Sequence, residues 1–210
     1  MREVLPGIYH WTAVHPNIHI EVSSYWLEDG GVLIDPLLPP DAGIEWFAER
    51  SSTPAAIVLS NRHHYRKSDE FVRAYGTPVL CPRAGLHEFT GHDEVAPYDP
   101  GERLPGGLTA IEIGALCPDE NALHLAAERA LFLADGIVRG AQDHGPIGFV
   151  PDTLMDDPPE TKRQLLQRYG QVLQEVDFDH VLLAHGGPLI GDGRARLQAL
   201  VEAGGGTVEF

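Results

Sequence analysis

The hydrophobic and polar positions divide the chain into strand-like and helix-like stretches. Residues 7–14 are rich in β-formers and lie between Pro6 and Pro16. Residues 19–27 open with the polar/apolar alternation of a half-buried strand, and Asp29-Gly30-Gly31 signals a turn into the short apolar run Val32-Leu33-Ile34. The period then changes. Asp41 can cap a helix with Ile44, Phe47 and Ala48 on one face, and residues 55–59 read as a buried strand. Ser68 opens a helix carrying Phe71, Val72 and Tyr75 that Gly76 closes, and residues 78–81 form another buried strand. Strands are expected at 108–113, 122–125 and 130–134, followed by a Pro/Asp-rich loop over 145–159. Leu165, Leu166, Tyr169, Val172 and Leu173 recur at helical spacing, Val181-Leu182-Leu183 reads as a strand, and a last helix covers 194–203. Two halves, each of strands followed by strand–helix–strand units, predict two sheets packed face to face with helices outside.

Composition narrows the function. At 210 residues, 43% apolar and 22% charged, the chain is expected to fold as one globular domain over 1–210. A formal charge of −16 repels phosphate backbones and anionic membrane surfaces, so neither nucleic acid nor a membrane is the expected partner; a small molecule is. No run approaches the roughly 20 apolar residues of a bilayer span, and residues 1–6 lack a signal-peptide run, which points to the cytoplasm. There Cys81 and Cys117 should be unbridged. Eleven histidines justify a search for a metal site, because neutral imidazole is the commonest metal ligand.

Four apolar strands run directly into polar or ionisable residues. Asp35 follows Val32-Leu33-Ile34, and Asn61-Arg62-His63-His64-Tyr65-Arg66 follows Ile57-Val58-Leu59. Asp135-Gly136 follows Leu131-Phe132-Leu133-Ala134, and His185-Gly186 follows Val181-Leu182-Leu183. Ligands of open α/β sheets bind beyond the carboxyl ends of strands, so these four ends can converge on one site. In order and spacing the set resembles the metallo-β-lactamase superfamily, with Leu116-Cys117-Pro118-Asp119 similar to its third motif. The resemblance implies an α/β fold, a four-layer αβ/βα sandwich. It also implies a metal-dependent hydrolase of small esters, thioesters or lactones.

The departures from the family pattern reshape the expected site. His63 matches the second histidine of the signature motif, Asp135 the metal-bridging aspartate and His185 the final histidine. Asn61, Tyr65, Arg66 and Leu116 stand where further ligands would be. Moving the register to promote His64 would put Arg62 and Lys67 at ligand positions. Zinc sites generally need three protein ligands, and Arg66 brings a fixed positive charge, so an intact dinuclear centre is not expected. The expectation is at most one divalent metal (zinc, iron or manganese) on His63, Asp135 and His185, with Asp119, Glu120, His15 or His144 available to complete it. Asp135, Tyr65 and Arg66 are the candidate catalytic residues, and Arg66 is expected to pair with Asp135. The alternative is a metal-free, non-catalytic ligand-binding or assembly module that keeps the fold.

Overall fold

The structure is a computed structural model that describes residues 1–140 and 145–205. Strands β1 (Arg2–Leu5), β2 (Ile8–Val14), β3 (Glu21–Leu27), β4 (Val32–Ile34), β5 (Ala56–Val58), β6 (Val79–Pro82) and β7 (Val95–Tyr98) form a seven-stranded sheet in chain order. It is antiparallel from β1 to β4 and parallel from β4 to β7, with α1 (Ser68–Tyr75) in the crossover from β5 to β6. The second sheet begins with β8 (Leu108–Glu112), β9 (Asn121–Leu125) and β10 (Ala130–Leu133), all antiparallel. After the two-stranded ribbon of β11 (Ile137–Arg139) and β12 (Ile147–Phe149), α2 (Pro158–Glu175) returns the chain to β13 (His180–Leu183), parallel to β10. Helix α3 (Gly193–Glu202) follows. Both large sheets are therefore mixed.

The two-residue period of the strands sorts their side chains into layers. Val32, Ile34, Ala130 and Phe132 face the other sheet, in a core that also holds Tyr25, Leu123 and Leu182. Leu33, Trp26, Ile57 and Val79 point to the opposite face of the first sheet, where Phe47 and Phe71 cover them. Leu131, Leu133, Val181 and Leu183 do the same on the second sheet, under Leu165, Tyr169 and Val172 of α2 and Leu197 and Leu200 of α3. The order helix, sheet, sheet, helix is the expected sandwich.

Local departures have local causes. The helix expected after Asp41 shrinks to a 3-10 turn, Glu45–Glu49, because Gly43 sits in the left-handed region at φ 62°. Its Phe47 still packs edge-on to Trp11, Trp26 and Phe71. β7 carries two exposed residues, Ala96 and Pro97, at a sheet edge, and so shows no apolar alternation. β12 falls inside the stretch expected to be loop; its central Gly148 hides the strand pattern. His19 lies just ahead of β3, exposed and at φ 57°, not within the strand.

Four strands, β4, β5, β10 and β13, end at the same edge, and there the sheets are joined by hydrogen bonds. The Ser23 amide donates to Ala184 O (2.9 Å), the Tyr25 hydroxyl to Leu183 O (2.8 Å) and the Asn121 amide to Ser60 O (2.9 Å). Helix α3 starts against β13 with no spare room: a Cβ on Gly193 would collide with the Val181 backbone nitrogen. Gly193→Ala is expected to lower stability by about 1–3 kcal/mol through overpacking, read from the urea midpoint. An unchanged midpoint would mean that α3 can slide off β13 at no cost.

Candidate metal centre

Asp35 anchors the site. It is buried and holds its backbone in the left-handed region at φ 49°. Oδ1 accepts the Ser60 amide (2.8 Å), while Oδ2 accepts the Ser60 hydroxyl (2.6 Å) and meets His64 Nδ1 at 2.9 Å. These bonds tie the end of β4 to the loop after β5. That loop is a 3-10 turn, Arg62–Tyr65, capped by Asn61, whose side-chain oxygen accepts the His63 amide (2.9 Å). The other side of the Asn61 amide donates to Asp135 Oδ2 (2.9 Å) across the gap between the sheets.

Asp135 Oδ1 then receives two imidazoles. His64 Nε2 and His185 Nε2 each lie 2.9 Å from it. His64, Asp135 and His185 offer three ligand atoms within 4.8 Å of one another, a group that could hold a metal ion. Burial lowers the basicity of His64, but the Asp135 and Asp35 carboxylates raise it by more and leave its pKa at about 9. Burial opposes the charge on Asp135, yet His64 and His185 hold its carboxyl well below the usual range. His15, on the β2–β3 hairpin, has its pKa lowered by burial and by the nearby charges of Arg66, His64 and His185.

The residues named from sequence divide sharply. Asp135 and His185 join the group, and so does Asn61 as a partner of Asp135. His63 does not: it is exposed, and His64 takes the place expected of it. Three residues per turn point adjacent side chains about 120° apart, so one of two neighbouring histidines faces in and the other out. Tyr65 is directed away, its hydroxyl donating to Glu94 (2.8 Å) and its ring packing on Phe89 and His92. Arg66 does not form the expected ion pair with Asp135. Its backbone lies at φ 47° and ψ −107°, and Nη1 donates to the carbonyls of Ser23 (2.5 Å) and Asp35 (2.7 Å).

The remaining candidates stay outside the group. The buried Asp119 is held by the Arg62 amide (2.7 Å) and guanidinium. Glu120 turns beneath Asp135, where Oε1 accepts the Gly136 amide (2.7 Å). Burial, then the Asp135 charge, push the pKa of Glu120 up to about 7. Leu116 packs against the outer core of the second sheet, Cys81 and Cys117 are free thiols, and His144 lies outside the described residues. Ser60 and Asp35 form the support behind His64. Sequence reasoning places Asp35 at a strand end and in the set that resembles the family, but gives neither residue a role.

Solved structures share this architecture at low identity. A metallo-β-lactamase family protein from Thermus thermophilus matches with a TM-score of 0.65 and 18% identity, over 96% of this chain and 80% of that one. A metallo-β-lactamase from Pontibacter korlensis matches at 0.67 and 13%, over 96% and 97%. A protein solved in a di-iron-bound form matches at 0.64 and 21%, over 86% and 94%. At these identities the likeness is one of fold. A search of the curated proteins gives no match. Among the described residues no helix is long and apolar enough to cross a membrane. The family model described as metallo-beta-lactamase superfamily matches residues 2–204, nearly the whole chain. The chain belongs to the metallo-β-lactamase superfamily.

Proposed function

We propose that the chain is a divergent hydrolase of this fold that holds at most one divalent metal (zinc, iron or manganese) through His64, Asp135 and His185. Its substrate is a small ester, thioester or lactone. The observation that carries this reading is the three-donor group itself, backed by Asp35 on the far nitrogen of His64. Two imidazole nitrogens and one carboxylate oxygen are the protein donors of a catalytic site that keeps a position open. A carboxylate on the other ring nitrogen fixes the orientation of a ligating histidine and raises its basicity. Asn61, Tyr65, Arg66 and Leu116 supply no second set; among the described residues this is the one such group.

A metal bound there would acidify a water molecule and polarise the substrate carbonyl. The protein's own residues do the rest. Asn61 occupies Asp135 Oδ2 and so directs Oδ1 at the two imidazoles. Asp35 and Ser60 lock His64, and Arg66 adds a fixed positive charge beside them. Asp135 and His185 are partly exposed, which leaves the group open to a small molecule.

The second reading, a metal-free ligand-binding or assembly module, is favoured by one observation. A protonated His64 between Asp35 and Asp135, 2.9 Å from each, satisfies both carboxylates unaided. Elemental analysis of protein purified without chelator separates the two. Near-stoichiometric zinc, iron or manganese supports the hydrolase; none, before or after reconstitution, supports the module.

Proton competition gives a quantitative check. With the His64 pKa at about 9, metal uptake below that pH must expel a proton. Apparent zinc affinity should therefore climb about tenfold per pH unit up to that point and then level. Competition titrations with a chromophoric chelator read this slope, and a flat profile would place the metal elsewhere.

A further inference from the structure

Among the described residues, Arg66 is the site cation with two hydrogen-bond donors left over. Nη1 is used by the Ser23 and Asp35 carbonyls. Nε and Nη2 are buried and have no hydrogen-bond partner among the described residues. Buried donors, above all charged ones, are costly to leave unpaired, so native structures nearly always supply an acceptor. Among the described residues no carboxylate bonds to this edge. Asp35 is engaged by Ser60 and His64, and Asp135 by Asn61, His64 and His185.

The Nε–Nη2 edge of a guanidinium presents two parallel donors that match the two oxygens of a planar carboxylate. Charge narrows the class further. Asp35, Asp135, Arg66 and a bound divalent metal sum to one positive charge, which a single anionic group neutralises. A dianion would overshoot, and a chain with a formal charge of −16 repels it in addition. We infer that Arg66 is a substrate-binding residue whose Nε–Nη2 edge takes a free carboxylate, so that the ester, thioester or lactone substrate is itself a monocarboxylate. This rests on the proposed hydrolase for the identity of the scissile bond, while the anion site is testable without it.

The probe is acetate, with inorganic phosphate as the competing anion. Arginine Nε–H resonances of the metal-free and the zinc-loaded protein are followed by ¹H–¹⁵N correlation spectra during titration. A saturable shift of Arg66 Nε–H is expected in both, with acetate binding at least about tenfold tighter than phosphate in the zinc-loaded form at a pH where phosphate is a dianion. Arg66→Lys keeps the charge and loses the fork, so its acetate affinity should fall at least about tenfold with an unchanged melting transition. Should that variant fail to fold, the wild-type titration decides alone. No saturable movement of Arg66, phosphate binding as tight as acetate, or full acetate affinity in a folded Arg66→Lys would each overturn the proposal. Failure of zinc to bind would count against the hydrolase, and the metal-free titration would still judge Arg66.

Discussion

Asp135→Ala is expected to end metal binding at micromolar metal. The substitution takes the shared member from a three-donor group and leaves two imidazoles whose ring centres are 5.6 Å apart. Two protein ligands are too few for a zinc site. The loss of affinity should exceed the roughly 10–100-fold that follows when only the hydrogen-bond partner behind a ligand is removed. Retention of stoichiometric metal by a folded Asp135→Ala protein would show that the metal uses other residues. The metal-free protein provides a second readout. His64 has a folded pKa of about 9 against 6.5 for the free side chain, so its contribution is complete below 6.5 and is lost as pH rises through 9. Asp135 is the first of the charges that raise it, so the variant should show a shallower loss over that window in denaturation titrations.

The largest effect on stability is expected at Asp35. Its carboxylate accepts three hydrogen bonds from Ser60 and His64, and its charge also faces the Arg66 guanidinium. Asp35→Asn keeps a residue that tolerates a positive φ, so the backbone at φ 49° is not the variable. What changes is the charge. Breaking a buried ionic arrangement from one side costs about 3–5 kcal/mol because the partner charge stays behind. Urea denaturation of the metal-free protein should show a loss of that size. A loss under about 1 kcal/mol would mean that His64 and Arg66 do not depend on Asp35.

Much of this was legible in the sequence. The polar ends of four apolar strands placed Asp35, Asp135 and His185 correctly at one edge, because a buried strand has few ways to finish. The layered core was equally readable, since the two-residue period in Val32-Leu33-Ile34 and in β10 separates inner from outer faces. The identity of the inward histidine was not readable. Counting along residues 61–66 selected His63, while the choice of His64 is made by Asp35, 29 residues away, and by Asp135, 71 residues away. Arg66 failed for a related reason. Charge alone suggested Asp135 as its partner, but a left-handed turn at Arg66 sends the guanidinium to two backbone carbonyls instead. Tyr65 was drawn to the site by position in a motif and is held outside it by Glu94.

The division of the site between the two sheets has a consequence for how the protein comes into being. Asp35, His64 and Arg66 are synthesised with the first sheet, whereas Asp135 and His185 arrive with the second. A ribosome-bound chain that has passed β7 therefore carries a histidine with one carboxylate partner and an arginine fork, and nothing that amounts to a centre. The group comes into existence only when the sheets dock through the Ser23–Ala184 and Asn121–Ser60 hydrogen bonds. Any ion or anion that binds the finished group acts as a clasp across that seam. It adds RT ln(1 + [L]/Kd) to the free energy of the closed sandwich and nothing to either half alone. Occupancy of the site is thus a report on assembly, and starvation for the ligand should be felt first as a loosening between the layers.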